Sequence, residues 1–423
     1  MKILWLCNLI PAPLALELHR PVHNIGGWLN VLIDTIKKNP DYDLTILFPI
    51  SKKEEVLQGK AKTISYYSFF QNTKRTEYYD SELELFFETV LENVTPDIVH
   101  IWGSEYPHTL AMTNACEKKG YLQHTVISIQ GLVSICAKHY YANLPEKIVK
   151  GKTFRDLVKW NGLLEAKKLF DIRGIHEIKA LQKIPHVIGR TEWDLACTQM
   201  INPNITYHQG HEILRTSFYE GMWKLENCEK HSIFISQWGY PLKGFHVFLE
   251  AFKIVLKDYP DAKVITTGKD LFHASKKVFL KQTYYEKYII KLIKKWGLAK
   301  NIIFLGKQLN EAEMKAQYLS AHIFVLPSAI ENSPNSLGEA MLLGTPAIAS
   351  NVGGISSMLT HGKEGFSYPF DEPYMLAYYI KRIFQDDALA KSFSIAERLK
   401  AAETHHIQNN INEYYQIYET ISK

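Results

Sequence analysis

Short runs of Ile, Val, Leu and Phe alternate along the chain with longer segments whose apolar residues recur at helical spacing. A run that is apolar at nearly every position is the pattern of a strand buried on both faces of a parallel sheet. The longer segments between such runs supply the crossover helices that a parallel sheet requires. In the first half the candidate strands are 3–7, 44–48, 98–102, 125–129 and 186–189, with helical patterns between them, as at 27–38 and 81–93. The series restarts at 232–236 and continues at 263–267, 302–305, 323–326, 346–349 and 365–367. This predicts an α/β chain with two doubly wound domains. The polar stretch 217–230, which contains Gly221, separates the two series and reads as the linker, giving domains at 1–218 and 219–400. The last segment, 401–423, is a helical pattern with no strand after it and is expected to pack back on the first domain.

Composition narrows the function classes. A chain of 423 residues with 46% hydrophobic and 22% charged residues has material for two cores, and it is neither disordered nor collagen-like. Its 49 basic and 44 acidic residues leave a net charge of +5, too small over this length to argue for nucleic acid. Cys7, Cys116, Cys136, Cys197 and Cys228 are scattered and form no CxxC or Cys/His spacing, so neither a disulfide framework nor a zinc site is indicated. A reducing, cytoplasmic setting is expected. No stretch approaches the roughly 20 apolar residues of a membrane span, the longest being broken by Pro327 and Gly344. Asn8, Pro11 and Pro13 interrupt the apolar amino terminus, which reads as a first strand rather than a secretory signal.

Parallel sheets bind ligands outside the carboxyl ends of their strands, and two such domains would offer the cleft between them. After the strand at 323–326 come Glu331-Asn332-Ser333-Pro334-Asn335-Ser336-Leu337-Gly338-Glu339. Ser333 suits an N-cap, Pro334 a first helical residue and Gly344 a stop, which predicts a short helix whose free N–H groups form an anion site suited to phosphate. Glu331 would precede this helix and Glu339 lie inside it, two carboxylates able to hold sugar hydroxyls. A solvated helix with two ordinary glutamates is the plain alternative. Asn351-Val352-Gly353-Gly354-Ile355 follows the strand at 346–349, where the glycines permit close approach to a ligand or make a tight turn.

The span PSAIENSPNSLGEAMLLGTPAIASNVGGI resembles the donor-binding signature of retaining glycosyltransferases of family 4, with Glu331 and Glu339 meeting its E-x7-E spacing. The resemblance implies the GT-B fold, two doubly wound Rossmann-like domains facing across a cleft. It also implies transfer of a sugar from a UDP- or GDP-linked donor to a hydroxyl of a glycan or lipid-linked acceptor, in surface polysaccharide or lipopolysaccharide assembly, with no cofactor and no metal. Glu331 would contact the donor sugar and Glu339 the ribose. The diphosphate would lie against the backbone at Asn335, Ser336 and Leu337. The likeness extends to Lys243-Gly244, to Gly268 after the next strand, and to Gly26-Gly27 near the first. Lys243 would stabilise the charge that develops on the departing diphosphate. Gly26 and Gly27 would offer N–H groups to phosphate or acceptor, or simply start a helix.

The chain departs from the family at two places. Gln237 stands where many members carry an arginine that pairs with the lysine, so the missing charge is sought at Arg190 or Arg215; either could instead be a salt-bridge residue. Gln130-Gly131 stands where many have His-Gly beside the donor sugar. Glutamine takes no proton, but its amide can bridge a hydroxyl, and retention is usually explained by the leaving phosphate taking the acceptor proton. Gln130 therefore stays in the expected catalytic group with Glu331 and Lys243, and Gly131 and Glu105 are expected to bind the acceptor, with His108 nearby, a structural role being the alternative for Glu105. Asp41-Tyr42-Asp43 precedes a strand, at the edge opposite the expected site, and is not read as a metal motif.

Residues 138–183 are rich in Lys and Arg, with Leu157, Trp160, Leu163 and Leu164 interspersed. They read either as a solvated helix face on the first domain or as a peripheral contact with the inner face of a membrane. Three competing functions remain. The first is a nucleotide-binding subunit without turnover, and the others are an epimerase and a sugar phosphorylase of the same fold. An NAD oxidoreductase is disfavoured, because no G-x-G-x-x-G follows the first strand.

Overall fold

The computed structural model describes residues 1–22, 26–272 and 281–423. It divides into two compact α/β units. The first comprises Met1–Ala137, Leu169–Arg215 and His405–Lys423, and the second comprises Lys138–Lys168 and Thr216–Thr404.

The first unit is built on an eight-stranded sheet. Its strands are β1 (Lys2–Cys7), β2 (Asp43–Ile50), β3 (Gln58–Ala61), β4 (Ile64–Phe70), β5 (Ile98–Trp102), β6 (Thr125–Ser128), β7 (His186–Gly189) and β8 (Thr206–Gln209). They run in the order β3-β4-β2-β1-β5-β6-β7-β8, parallel throughout except for the antiparallel β3–β4 pair. Side chains of β1 alternate between two apolar layers, as the pleat dictates. Ile3, Trp5 and Cys7 meet the helices Trp28–Ile36 and Ile407–Ile421, while Leu4 and Leu6 meet Glu82–Val94 and Pro107–Lys119. The carboxyl-terminal helix is thus part of this core, through Ile411, Tyr414, Ile417, Tyr418 and Ile421 at helical spacing. Its Tyr418 hydroxyl lies 2.6 Å from His100 Nδ1 and accepts from Trp5 Nε1 at 3.1 Å, while His100 Nε2 lies 2.7 Å from Ser128 Oγ. Burial holds the His100 imidazole well below its ordinary pKa, so this is a neutral, structural histidine.

The second unit holds β9 (Glu229–Ile235), β10 (Lys263–Thr266), β11 (Ile302–Phe304), β12 (Ala321–Leu326), β13 (Ala347–Ser350) and β14 (Gly365–Tyr368). The order is β11-β10-β9-β12-β13-β14, all parallel. Every residue of β12 is buried, which accounts for the apolar run 323–326. Each sheet reverses its direction of winding once, between β1 and β5 in the first unit and between β9 and β12 in the second.

Three expectations about organisation need correction. The polar stretch 217–230 is built into the second unit: Phe218 is buried, Trp223 Nε1 donates to Ala321 O at 2.7 Å, and the boundaries fall at 215/216 and 404/405. The segment Lys138–Lys168 also clusters with the second unit rather than the first. Its anchors are buried polar groups: Asp156 accepts from Tyr284 N at 2.9 Å, and His246 Nε2 lies 2.7 Å from Ala142 O. Finally, three strands were not foreseen: β3 and β8 form the two edges of the first sheet and β4 lies between β3 and β2, where polar or Tyr/Ser-rich sequence hides strand character.

Candidate functional site

In the second unit two loops emerge from neighbouring strands at the point of reversal. After β9 comes the short helix Pro241–Lys243, and after β12 comes 327–334. Their backbones interlock: Ala329 N donates to Leu242 O at 2.7 Å, and Gly244, at φ +65°, lies so close to Pro327 that a Cβ there would sit 1.6 Å from its carbonyl oxygen. Across this joint Lys243 Nζ donates to Glu331 Oε1 at 2.5 Å, and Ser328 Oγ donates to the same oxygen at 2.7 Å. The side chains are 17% and 13% exposed, shielded yet open to a ligand. Burial alone would depress the Lys243 pKa, but Glu331 and Tyr240 outweigh it and hold the ammonium above the ordinary lysine value. The Lys243 ammonium also lies 5.8 Å from the Tyr240 ring centroid.

The glycines after β13 serve this loop directly. Gly354 N donates to Glu331 O at 3.0 Å, and a Cβ on Gly353, at φ +53°, would fall 1.9 Å from that same oxygen. Their close approach is to the Glu331 main chain, a partner that the spacing of the sequence did not reveal.

The predicted helix spans Asn335–Leu343, ends in Gly344 at φ +76°, and begins one residue later than expected. Pro334, not Ser333, is the N-cap and supplies no side-chain bond. The N–H groups of Asn335 and Ser336 therefore have no partner among the described residues, as an anion site requires. The expectation for Leu337 is corrected, because its N–H is spent on Pro334 O at 2.9 Å and its side chain is fully buried. Glu339 is 6% exposed, one turn further in. Gln237 is exposed just beyond β9. Gly268, at φ +86°, follows β10 beside Trp238, whose indole Nε1 donates to Thr267 O at 2.9 Å.

The first unit repeats the logic at its own reversal. Asn8 follows β1 while Glu105 and His108 follow β5; Asn8 Nδ2 donates to Glu105 Oε2 at 3.0 Å, and His108 Nε2 lies 2.8 Å from Asn8 Oδ1. Burial, seconded by Glu177, raises the Glu105 carboxyl to about 7. Burial, together with Arg173, lowers His108 to about 3. Arg173 Nε donates to Glu105 O at 2.9 Å, and its guanidinium lies 4.8 Å from the ring centroids of Tyr106 and Phe170. Glu177, 1% exposed, accepts from Ser104 Oγ at 2.6 Å and from the N–H groups of Val133 and Ser134, pinning the turn that carries Gln130 and Gly131.

The expectation that Arg190 binds a donor phosphate is also corrected. Its side chain is 6% exposed; Nη2 donates to the carbonyls of Ile129 and Gln130 at 3.0 and 3.1 Å, and Nη1 forms an ion pair with buried Glu212 at 2.8 Å. It positions Gln130 from behind. Gly131 borders open space, whereas Gly26 packs on Leu9, and a Cβ on Gly27 would lie 3.0 Å from Arg215 Cγ. Asp41-Tyr42-Asp43 leads into the amino end of β2. Ser328, Tyr240, Asn8, Arg173 and Glu177 were not singled out as site residues from sequence: Ser328 and Tyr240 each lie three residues from the charged group they touch, whereas Asn8, Arg173 and Glu177 join the site through contacts distant in the chain.

Comparison with known proteins bears on the second unit above all. Residues 224–400 match the family model described as glycosyl transferases group 1. The chain is 28% identical to N-acetyl-alpha-D-glucosaminyl L-malate synthase of Bacillus anthracis over 130 residues, 31% of this chain and 33% of that enzyme. The chain spans about a third of the length of the first curated relatives it matches. Solved structures extend the likeness in fold to the whole chain. Sucrose-phosphate synthase from Thermosynechococcus elongatus superposes with a TM-score of 0.68 at 13% identity, over 100% of this chain and 99% of that one. Anabaena HepE in complex with UDP does so with a TM-score of 0.66 at 17% identity, over 100% of both. The fold class is thus GT-B, two parallel-sheet Rossmann-like units, and the family likeness resides in the second, whose residues 224–400 match glycosyl transferases group 1.

Proposed function

We propose that the chain is a retaining glycosyltransferase that moves a sugar from a nucleotide sugar to a hydroxyl of a glycan or lipid-linked acceptor, in surface polysaccharide or lipopolysaccharide assembly. The observation that carries this reading is the Lys243–Glu331 pair beside the uncapped helix at Asn335. The donor diphosphate lies at the N–H groups of Asn335 and Ser336, with Lys243 alongside to meet the charge that grows as the glycosyl bond breaks. Both bonds to the Glu331 carboxylate fall on Oε1, which leaves Oε2 for a donor-sugar hydroxyl. Glu339 takes the ribose, with Gly268 and Gln237 bordering the nucleotide. Of the two expected donors, UDP- or GDP-linked, the structural neighbour solved with UDP favours the first. In the first unit Glu105 and Gly131 receive the acceptor, and Gln130, steadied by Arg190, offers its amide to the donor sugar. The departing phosphate takes the acceptor proton.

Gln237 and Gln130 favour one second reading, a nucleotide-binding subunit without turnover, because neither can carry charge. The test is to measure the melting temperature with UDP, GDP and ADP, then to incubate the chain with the matching nucleotide sugars and follow products by mass spectrometry. A ligand that binds only the native state must raise Tm. Stabilisation by UDP with transfer or hydrolysis of its sugar, lost in Lys243→Ala and Glu331→Ala, supports the enzyme. Binding without cleavage of any donor selects the second reading, and unchanged turnover in both variants removes the site assignment.

A further inference from the structure

The segment Lys138–Lys168 carries a helix whose amphipathicity is inverted. Its buried side is polar. In the helix Phe154–Lys159, Thr153 and Asp156 form a reciprocal cap and are 7% and 1% exposed. Both are tied to the rest of the unit: Asp156 accepts from Tyr284 N at 2.9 Å, and Thr153 Oγ1 donates to Gln282 O at 3.2 Å. The outward side is apolar. Phe154, Leu157 and Val158, at i, i+3 and i+4, are 82%, 55% and 69% exposed, and Trp160 just beyond the helix is 77% exposed. Isolated apolar side chains on a surface need no explanation, but four exposed within seven residues, three on a helix tied down by its polar side and one at its carboxyl end, form a patch.

Charge identifies what covers it. Residues 138–168 contain eight Lys and Arg against three Asp and Glu. All three acids are engaged: Glu146 with Lys150, Glu165 with Lys152, and Asp156 with Arg155 and the main chain. Lys138, Lys147, Lys159 and Lys168 are exposed and have no acidic partner among the described residues. Next to the segment, the helix Tyr284–Lys295 presents Lys287, Lys291, Lys294 and Lys295 to solvent.

We propose that this face of the second unit docks on the surface of a bilayer containing anionic lipid. Trp160, Phe154, Leu157 and Val158 enter the headgroup boundary, and the surrounding lysines meet lipid phosphates. Among the described residues no helix is long and apolar enough to cross a membrane, so the contact is one of lying on the surface. The proposal is independent of the donor chemistry and places the chain where a lipid-linked hydroxyl would be met.

The experiment is co-sedimentation of the full chain with phosphatidylcholine vesicles, with and without phosphatidylglycerol. Binding is expected only with the anionic lipid, and it should weaken as salt rises. Phe154→Ser with Trp160→Ser should lower partition at least about tenfold. Lys147→Glu with Lys159→Glu should remove the preference for anionic lipid. Thermal melting reports whether these variants fold. The single change Trp160→Phe gives a further test, since quenching of tryptophan fluorescence by brominated lipid should fall with its loss. Equal binding to both vesicles, partition unaffected by the patch variants, or self-association in place of vesicle binding that Phe154→Ser dissolves would each overturn the proposal.

Discussion

Lys243 Nζ lies 2.5 Å from Glu331 Oε1, and the two residues come from the loops after β9 and β12, between which the second sheet reverses. Without a ligand each charge is neutralised by the other. Lys243→Met therefore does two things: it strands a shielded carboxylate and removes the cation meant for the diphosphate. Its cost to stability should be on the order of 1–3 kcal/mol. Turnover should fall by about 10²–10³ if the lysine acts on the leaving group. Adding Glu331→Gln should restore much of the stability and none of the turnover, a separation that urea unfolding and initial rates measure directly. The raised Lys243 pKa keeps the pair's stabilisation intact below the ordinary lysine value of about 10.4. That stabilisation should be lost only as pH rises through the higher folded value.

Glu105 supplies a pH dependence of the same sign in a lower window. Its carboxyl is raised from 4.5 to about 7 by burial, so between these values the native chain keeps a proton that the unfolded chain has released. Stability must then fall as pH rises from 4.5 to 7 and level off above it. Glu105→Gln removes that loss, giving an advantage over the parent that grows to roughly 3 kcal/mol by pH 8. Chemical unfolding of both proteins from pH 4 to 8 would show it. A difference that does not change with pH would mean that the carboxyl titrates normally.

Arg190 and Glu212 form a buried pair, 6% and 2% exposed, whose arginine also holds the carbonyls of Ile129 and Gln130. Removing one member leaves an uncompensated charge, so Glu212→Gln should cost about 3–5 kcal/mol, and Arg190→Met a similar amount. The double variant should cost less than the sum of the two. If Arg190 acts by positioning Gln130, substitution in this pair should alter turnover without changing the Tm shift caused by UDP, whose proposed site lies wholly in the second unit.

What could be read from the chain follows how locally each feature is encoded. The strands at 3–7 and 98–102 were legible because β1 and β5 are covered on both faces, which favours apolar side chains throughout and admits His100 only with both ring nitrogens bonded. The edge strand β8 is Thr-Tyr-His-Gln and exposes both ends, so nothing in its sequence distinguishes it from a loop. Glu331 and Lys243 were found separately, as residues following strands, but their pairing joins positions 88 apart. Arg190 shows the limit most plainly. An arginine after a strand fits a ligand contact, and only the position of Glu212, 22 residues on, turns it inward. The place of 138–168 in the second unit rests on Asp156 and His246, single buried groups with no periodic signature.

Gly244 and Gly120 provide a matched comparison of what the site requires of its backbone. Both adopt left-handed conformations, at φ +65° and +78°, which disfavour any residue with a Cβ. Around Gly120 nothing lies within 4 Å of an added Cβ, so Gly120→Ala should carry only the conformational penalty, about 1 kcal/mol. At Gly244 the same methyl would sit 1.6 Å from the Pro327 carbonyl oxygen and 2.7 Å from its carbon, both main-chain atoms that cannot rotate away. The loop after β9 would have to retreat from the loop after β12, breaking the Ala329 N to Leu242 O bond and drawing Lys243 away from Glu331. Gly244→Ala should therefore cost more than about 3 kcal/mol, beyond the usual range of surface changes. It should also abolish the Tm shift given by a nucleoside diphosphate, which Gly120→Ala leaves intact. Equal destabilisation of the two variants, with UDP stabilising both alike, would mean that the interlocked loops do not set the geometry of the lysine.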